Sequence, residues 1–145
     1  EGEISVIRLS HSGARVAMII DGHVYIAAVA QSSSGDKRIV NAREVGPEVS
    51  GSALSLDWNA DGSLIVGTSS SQSPVWRIEQ DGSSASTMPT GNITAPVVAV
   101  ATSPTKLFIT DSHAMLELPS TVMDETNWRE VSGLQGRRSS PIVSN

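Results

Sequence analysis

Three stretches of alternating apolar and polar residues each end in a tight polar turn, after which a second apolar run begins. They extend from Val6 to Gly13, from Leu54 to Gly62 and from Val98 to Lys106. Alternation with a period of two is the pattern of a half-buried β-strand, and a tight turn between two such runs predicts a hairpin. The chain therefore predicts a repeated β-hairpin.

The spacing of these hairpins defines the size of the repeat. Gly62 follows Gly13 by 49 residues, and Lys106 follows Gly62 by 44. A further similarity has about the same spacing: the segment Ser140-Pro-Ile-Val resembles Ala95-Pro-Val-Val and follows it by 45 residues. A unit of about 40–50 residues containing four short strands is the size of one blade of a β-propeller. The predicted fold is therefore all-β, with about three four-stranded blades of a partial propeller.

The predicted blades comprise residues 1–46, 47–91 and 92–139, and residues 140–145 begin a further blade strand or form a closing strand. The predicted strands of the first blade are Ile4–Leu9, Arg15–Ile20, Val24–Val29 and Arg38–Glu44. Those of the second are Leu54–Trp58, Leu64–Thr68, Val75–Glu79 and Ser84–Met88. Those of the third are Val97–Ala101, Leu107–Thr110, Ala114–Leu118 and Trp128–Val131, with one helical turn within Pro119–Thr126 before the last strand.

Two further observations favour strands. Val and Ile together number 26 against 8 Leu, and β-branched residues suit a pleated surface better than a helix. No apolar stripe with helical spacing extends over the ~10–12 residues of a core helix. A β-sandwich of about a dozen short strands is the second interpretation, but it does not explain the repeat.

Three blades do not close a ring, because propellers contain about 4–8. The end blades would expose apolar faces that repeat units normally bury on their neighbours. The partner would be either missing blades of a longer protein or a second copy, joined head to tail into six blades. A first residue other than Met, Glu1, also predicts a processed product or part of a longer protein.

The net charge and the composition of the chain argue against several classes of function. Ten Lys and Arg against fifteen Asp and Glu give a net charge of −5, and basic residues are not clustered, which argues against nucleic acid as a partner. No apolar run approaches the ~20 residues of a membrane span. With no Cys, the chain has neither disulfides nor thiolate metal sites.

The sequence offers only weak candidates for a set of catalytic residues. A Ser/His/Asp set could be assembled from His11, Ser12 and Asp21, or from the run Asp111-Ser112-His113, but neither Ser lies in a Gly-x-Ser-x-Gly elbow. Turn positions explain these residues better, because Asp and Ser favour turns. We therefore expect no catalytic residue.

Metal and cofactor sites are not indicated either. His23 and His113 occupy matching repeat positions, which indicates repeat structure rather than a set of ligands. The acidic turns at Asn59–Gly62 and Asp81-Gly82 lack the alternating oxygen ligands and the terminal Glu of an EF-hand. Asn92-Ile-Thr94 matches the N-glycosylation pattern, which matters only in a eukaryotic secretory setting.

Aromatic residues are few, and three are candidates for an interaction surface: Trp58, Trp76 and Tyr25. Blade packing is the first explanation for the two tryptophans. A Trp face at a propeller rim could instead stack on a sugar, which keeps glycan or cell-wall binding as an alternative function.

The segment Leu9-Ser-His-Ser-Gly-Ala-Arg15-Val-Ala-Met-Ile-Ile-Asp-Gly-His-Val-Tyr-Ile26 resembles the opening blades of the C-terminal propeller in the actinobacterial lipoprotein LpqB family. Weaker similarity continues through Trp58–Gly62 and Pro74–Arg77 and covers most of the chain. His11 stands where an acidic residue is more usual. No family binding residue maps onto a position here.

The resemblance implies an extracytoplasmic protein, anchored to the cell membrane through a lipidated Cys far upstream of this segment. It also implies association with the extracellular domain of the MtrB sensor histidine kinase, and thereby a role in two-component signalling and cell-envelope homeostasis. The function expected first is thus a non-enzymatic protein-interaction module.

A second alternative is a hydrolase or lyase with its site in the propeller channel. Its candidate acids would be Asp21, Asp57 and Asp111, most of which we interpret as turn residues.

Overall fold

The computed structural model describes residues 3–46, 49, 51–88, 95–104, 106–111, 115–119 and 129–130. These form three antiparallel sheets of four strands each, with consecutive strands as neighbours, and the described ranges contain no helix. The strands of the first sheet are β1 (Ile4–Leu9), β2 (Arg15–Ile20), β3 (His23–Gln31) and β4 (Lys37–Glu44). Those of the second are β5 (Ala53–Trp58), β6 (Leu64–Thr68), β7 (Val75–Ile78) and β8 (Ala85–Thr87). Those of the third are β9 (Ala99–Thr102), β10 (Lys106–Thr110), β11 (Met115–Pro119) and β12 (Arg129–Glu130).

The predicted strands are confirmed in number and order, and most differences lie at their ends. Two strand ends differ by two residues: β3 continues to Gln31 instead of ending at Val29, and β9, predicted from Val97, begins at Ala99. Val97 instead lies fully buried in the preceding connection, where its amide donates to the Thr68 carbonyl at 3.0 Å. The predicted helical turn beyond Pro119 and the strand at 140–145 lie outside the described residues, and the blade boundaries stay predictions.

One turn geometry recurs in four hairpins. In each, the last turn residue is a glycine whose backbone amide donates a hydrogen bond to the carbonyl of the first turn residue. The glycine has a positive φ, a conformation that other residues adopt only with strain. These glycines are Gly13, Gly35, Gly62 and Gly82, with φ between 75° and 94°. The β2–β3 connection is instead the predicted two-residue turn, in which both Asp21 and Gly22 have positive φ (52° and 82°).

Each sheet has two faces, which we call front and back. The front of the second sheet carries large side chains: Leu56, Trp58, Leu64, Val66, Trp76 and Ile78. It packs on the back of the first sheet, which contributes Ala17, Ile19, Val24 and Ile26 to the same core. The back of the second sheet, with Ile65 and Val75, packs in turn on the front of the third, which presents Val100, Leu107, Ile109 and Leu116. The three sheets therefore stack front to back.

Polar contacts join the first sheet to the second. The Trp58 indole Nε1 donates to the Arg8 carbonyl at 3.0 Å, and His11 Nε2 lies 3.3 Å from the Trp58 carbonyl oxygen. Trp58 is 1% exposed, so this bond satisfies a buried donor. The packing of the Trp58 ring and its hydrogen bond to the Arg8 carbonyl together fix the position of the first sheet on the second.

Asp57 joins the second sheet to the third from within a strand, where the predicted strand Leu54–Trp58 places it. It lies inside β5, where its side chain points to the back of the sheet. Its carboxylate accepts a hydrogen bond from the Thr102 amide at 3.0 Å, and the Thr102 hydroxyl donates to the Trp58 carbonyl at 2.6 Å. The Asp57 carboxylate thus links the second sheet to the third through a charge-assisted hydrogen bond, which is stronger than a neutral one.

Candidate interaction surfaces

One candidate surface is the front of the first sheet, which exposes large apolar side chains. Ile7 and Leu9 of β1 occupy the positions that Leu56 and Trp58 hold in β5, each counted back from the glycine of the following turn. Leu56 and Trp58 are each 1% exposed, whereas Ile7 is 47% and Leu9 61% exposed. Positions that are buried between sheets in the second blade are thus open in the first.

The remainder of this face is also apolar. Val16, Met18 and Ala27 are buried, with Ile20, Tyr25 and Val29 packed around them. The cluster contains side chains from the first sheet alone. Ile39 of β4 adds a further half-exposed aliphatic side chain at 48%. Exposed apolar surface of this kind marks an interaction site.

A second candidate surface is a crevice between the β1–β2 and β5–β6 turns. Its volume is about 200 Å³, and its walls combine polar turn residues with Trp58. The lining residues are Ser10, His11, Ser12, Arg15, Trp58, Ala60, Asp61, Gly62 and Gln80. The Arg15 guanidinium carbon lies 5.0 Å from the centre of the Trp58 ring, and Nη1 of the same group donates to the Gln80 carbonyl. Contacts from both sheets therefore hold the crevice in one shape.

Charged groups border this crevice on the second sheet. Arg77 donates to Asp61 at 2.9 Å and to Glu79 at 3.2 Å. Burial alone raises the pKa of Asp61, but hydrogen bonds from the Ser63 hydroxyl and amide and from Arg77 outweigh it, so the pKa lies below its usual value. Asp61 therefore remains a carboxylate at neutral pH.

This pKa shift predicts a pH-dependent contribution to stability. Because the pKa is lowered in the folded state, the carboxylate stabilises the fold above the unfolded value of 3.8, and the effect disappears as the pH falls through the folded pKa. We expect Asp61→Asn to be less stable than the unmodified chain at pH 6 and closer to it at pH 3. Urea unfolding at both pH values measures this, and an equal difference at both would contradict it.

The three aromatic residues predicted as an interaction surface differ in exposure. Trp58 and Trp76 both belong to the core between the first two sheets, at 1% and 8% exposed. Trp76 also donates its Nε1 to the Ser73 carbonyl at 2.9 Å. Tyr25 lies half-buried on the front of the first sheet. In this chain, therefore, neither indole presents a free ring face, and Tyr25 adjoins the exposed aliphatic surface.

The first set of residues considered for catalysis is not brought together. His11 and Ser12 lie in the β1–β2 turn, whereas Asp21 lies beyond the opposite end of β2, where its carboxylate accepts from the Glu3 amide at 3.2 Å. In the second set, Ser112 and His113 lie outside the described residues, and Asp111 is buried.

Neither a metal cluster nor a membrane-spanning helix is present among the described residues. Among the described side chains, no three His, Asp or Glu groups lie close enough to hold a metal ion. His23 instead pairs with Glu44 at 3.0 Å. No helix in the described part of the chain has the length and apolarity to cross a membrane.

Comparison with known proteins shows which family has this stack of sheets. Residues 1–144 match the family model described as "Lipoprotein LpqB beta-propeller domain". The chain belongs to the LpqB β-propeller family. The three sheets are therefore blades, and their open arrangement is that of a partial propeller, as the repeat predicts.

Several curated relatives bear the name lipoprotein LpqB. The chain is 49% identical over 140 residues to the protein of Corynebacterium diphtheriae and 42% identical over 141 residues to that of Corynebacterium jeikeium. It is 40% identical over 141 residues to the protein of Rhodococcus jostii. Each match covers 97% of this chain and 24% of the relative, so the chain spans about a quarter of the length of these LpqB proteins.

Proposed function

We propose that the chain is a non-enzymatic protein-interaction module of an extracytoplasmic, lipid-anchored LpqB-type protein. Its proposed partner is the extracellular domain of an MtrB-type sensor histidine kinase, through which it would act on cell-envelope homeostasis. The lipoprotein name of the relatives supports the location. The resemblance to the LpqB family supports the choice of partner.

The observation that carries an interaction role is the preformed crevice between the β1–β2 and β5–β6 turns. A surface whose shape is fixed before binding loses little conformational entropy when a partner docks. Here His11 and Arg15 of one blade are held against the Trp58 carbonyl and ring of the next. The exposed turn residues Ser12 and Ala60 at its edge are then free to contact a protein surface.

Calorimetric titration of the chain with the purified kinase extracellular domain tests this proposal. We expect saturable binding, and we expect Ala60→Arg to weaken it at least tenfold, because the new side chain fills the crevice with bulk and charge. Ser33→Arg adds the same side chain on the exposed β3–β4 loop and should leave the affinity unchanged. Circular dichroism of both variants checks that they fold.

Two results would contradict the proposal at different levels. Saturable binding that Ala60→Arg does not weaken would place the contact elsewhere on the module. If no heat of binding is measured at micromolar concentrations, the kinase extracellular domain is not a partner of this segment. A parallel titration with cell-wall glycan, followed by Trp fluorescence, would then test the carbohydrate alternative.

A further inference from the structure

The crevice between the β1–β2 and β5–β6 turns is lined by two side chains of opposite charge, Arg15 and Asp61, that do not neutralise each other. Both oxygens of the Asp61 carboxylate have other partners. Oδ1 accepts from the Ser63 amide and hydroxyl, and Oδ2 accepts from Arg77 at 2.9 Å. Glu79 pairs with the same Arg77 guanidinium but does not line the crevice. The negative charge of Asp61 is therefore compensated by Arg77 and not by Arg15.

Arg15 is thus a cation in the crevice without a counterion. Its guanidinium forms no ion pair with any carboxylate of the described residues. One of its N–H groups donates to the Gln80 carbonyl, and a guanidinium carries several more donors in a planar fork. Because the side chain is half-buried, water screens its charge less than at an exposed site. The crevice therefore offers a cation to an anionic group that enters it.

The Arg15 guanidinium is held in place before any partner binds. Its carbon lies 5.0 Å from the centre of the Trp58 ring, and the bond to the Gln80 carbonyl comes from the second blade. A planar guanidinium fixed in this way can bind both oxygens of a carboxylate at a small cost in side-chain entropy. Ser12 and Ala60, both exposed, add a hydroxyl donor and a methyl group to the lining. These groups together suit a carboxylate carried on methylene groups.

We propose that the crevice receives the carboxylate of an Asp or Glu side chain of the protein partner and that Arg15 binds it. The identity of the partner rests on the proposed function, whereas the preference for a carboxylate rests on the crevice alone. A basic side chain would place a second cation beside Arg15 in the same crevice. An apolar side chain would cover the guanidinium without accepting a hydrogen bond from it.

Calorimetric titration with the purified kinase extracellular domain tests the role of Arg15 in partner binding. We expect Arg15→Met to weaken binding at least tenfold, because methionine retains an unbranched apolar side chain beside Trp58 but has neither the charge nor the donors. Arg38→Met removes the same charge from the exposed strand β4 and should leave the affinity unchanged. Circular dichroism checks that both variants fold. If Arg15→Met binds as tightly as the unmodified chain, the inference is wrong and the proposed function stands.

Amide substitutions in the kinase domain identify the carboxylate that Arg15 binds. Each exposed Asp of that domain is replaced by Asn, and each exposed Glu by Gln. One such variant should weaken binding of the unmodified chain at least tenfold and should have little effect on binding of Arg15→Met, because both changes remove the same contact. Losses that add for every variant would contradict a contact between Arg15 and a carboxylate.

A further measurement by nuclear magnetic resonance does not depend on the kinase. In the isotope-labelled chain, sodium acetate should shift the Arg15 Nε–H resonance more than that of the exposed Arg38, and sodium chloride should not reproduce this difference. Arg15→Met and Arg38→Met assign the two resonances by their loss. Equal shifts at both arginines would rule out a carboxylate site in the crevice. If the kinase domain gives no heat but acetate shifts Arg15 selectively, the proposed function fails and the carboxylate site remains.

Discussion

Trp58→Ala should lower the free energy of unfolding by about 3–5 kcal/mol, the usual loss for truncation of a buried tryptophan. The ring is 1% exposed and packs in the core shared by the first two blades. Its truncation leaves a cavity there, and it also removes the hydrogen bond to the Arg8 carbonyl. Urea unfolding followed by circular dichroism measures the loss.

Trp58→Phe is the matched control, because it retains an aromatic ring and removes the indole N–H. We expect it to be intermediate in stability, with the Arg8 carbonyl losing its partner. A loss below about 1 kcal/mol for Trp58→Ala would fit a largely exposed side chain. Such a result would contradict the packing of the first blade on the second.

Gly67→Ala should destabilise the chain by about 1–3 kcal/mol, the usual cost of forcing an extra methyl group into a packed interior. Its Cβ would lie 2.5 Å from Val97 Cγ1 and 2.6 Å from Ser55 Oγ, and the Val97 carbonyl oxygen lies only slightly farther away. The effect comes from these contacts with Val97 and Ser55 and not from backbone strain, because Gly67 is not among the glycines with positive φ. Alanine in a strand would otherwise stabilise relative to glycine.

A second substitution shows whether the clash with Val97 is the cause. Val97→Ala removes Cγ1, so Gly67→Ala combined with Val97→Ala should cost less than the sum of the two single losses. Additive losses would show that Val97 does not constrain Gly67. A stabilising Gly67→Ala would contradict the close approach of the third blade to the second.

Local features of this fold could be predicted from the sequence. Alternating runs place β1 and β2 at their observed bounds, since strand formation here depends on neighbouring residues and on turn chemistry. The Asp21-Gly22 turn is equally local, because both residues tolerate positive φ. The repeat also predicts three sheets of four strands.

Contacts between blades could not be predicted in the same way. Asp57 and Thr102 are 45 residues apart, and no local pattern shows that an Asp in a strand accepts an amide from the next blade. The one signal of this role in the sequence is the position of Asp57 in an alternating run, next to Trp58 and just before a turn. The same holds for Gly67, since no local pattern shows that Val97 and Ser55 leave no room for a Cβ atom there.

The most direct test of the functional account is the calorimetric titration of the unmodified chain with the sensor-kinase extracellular domain. The account predicts saturable heats, weakened by Ala60→Arg and unchanged by Ser33→Arg. Absence of heat at micromolar concentrations, from protein shown to be folded, would contradict a kinase-binding role for this propeller segment.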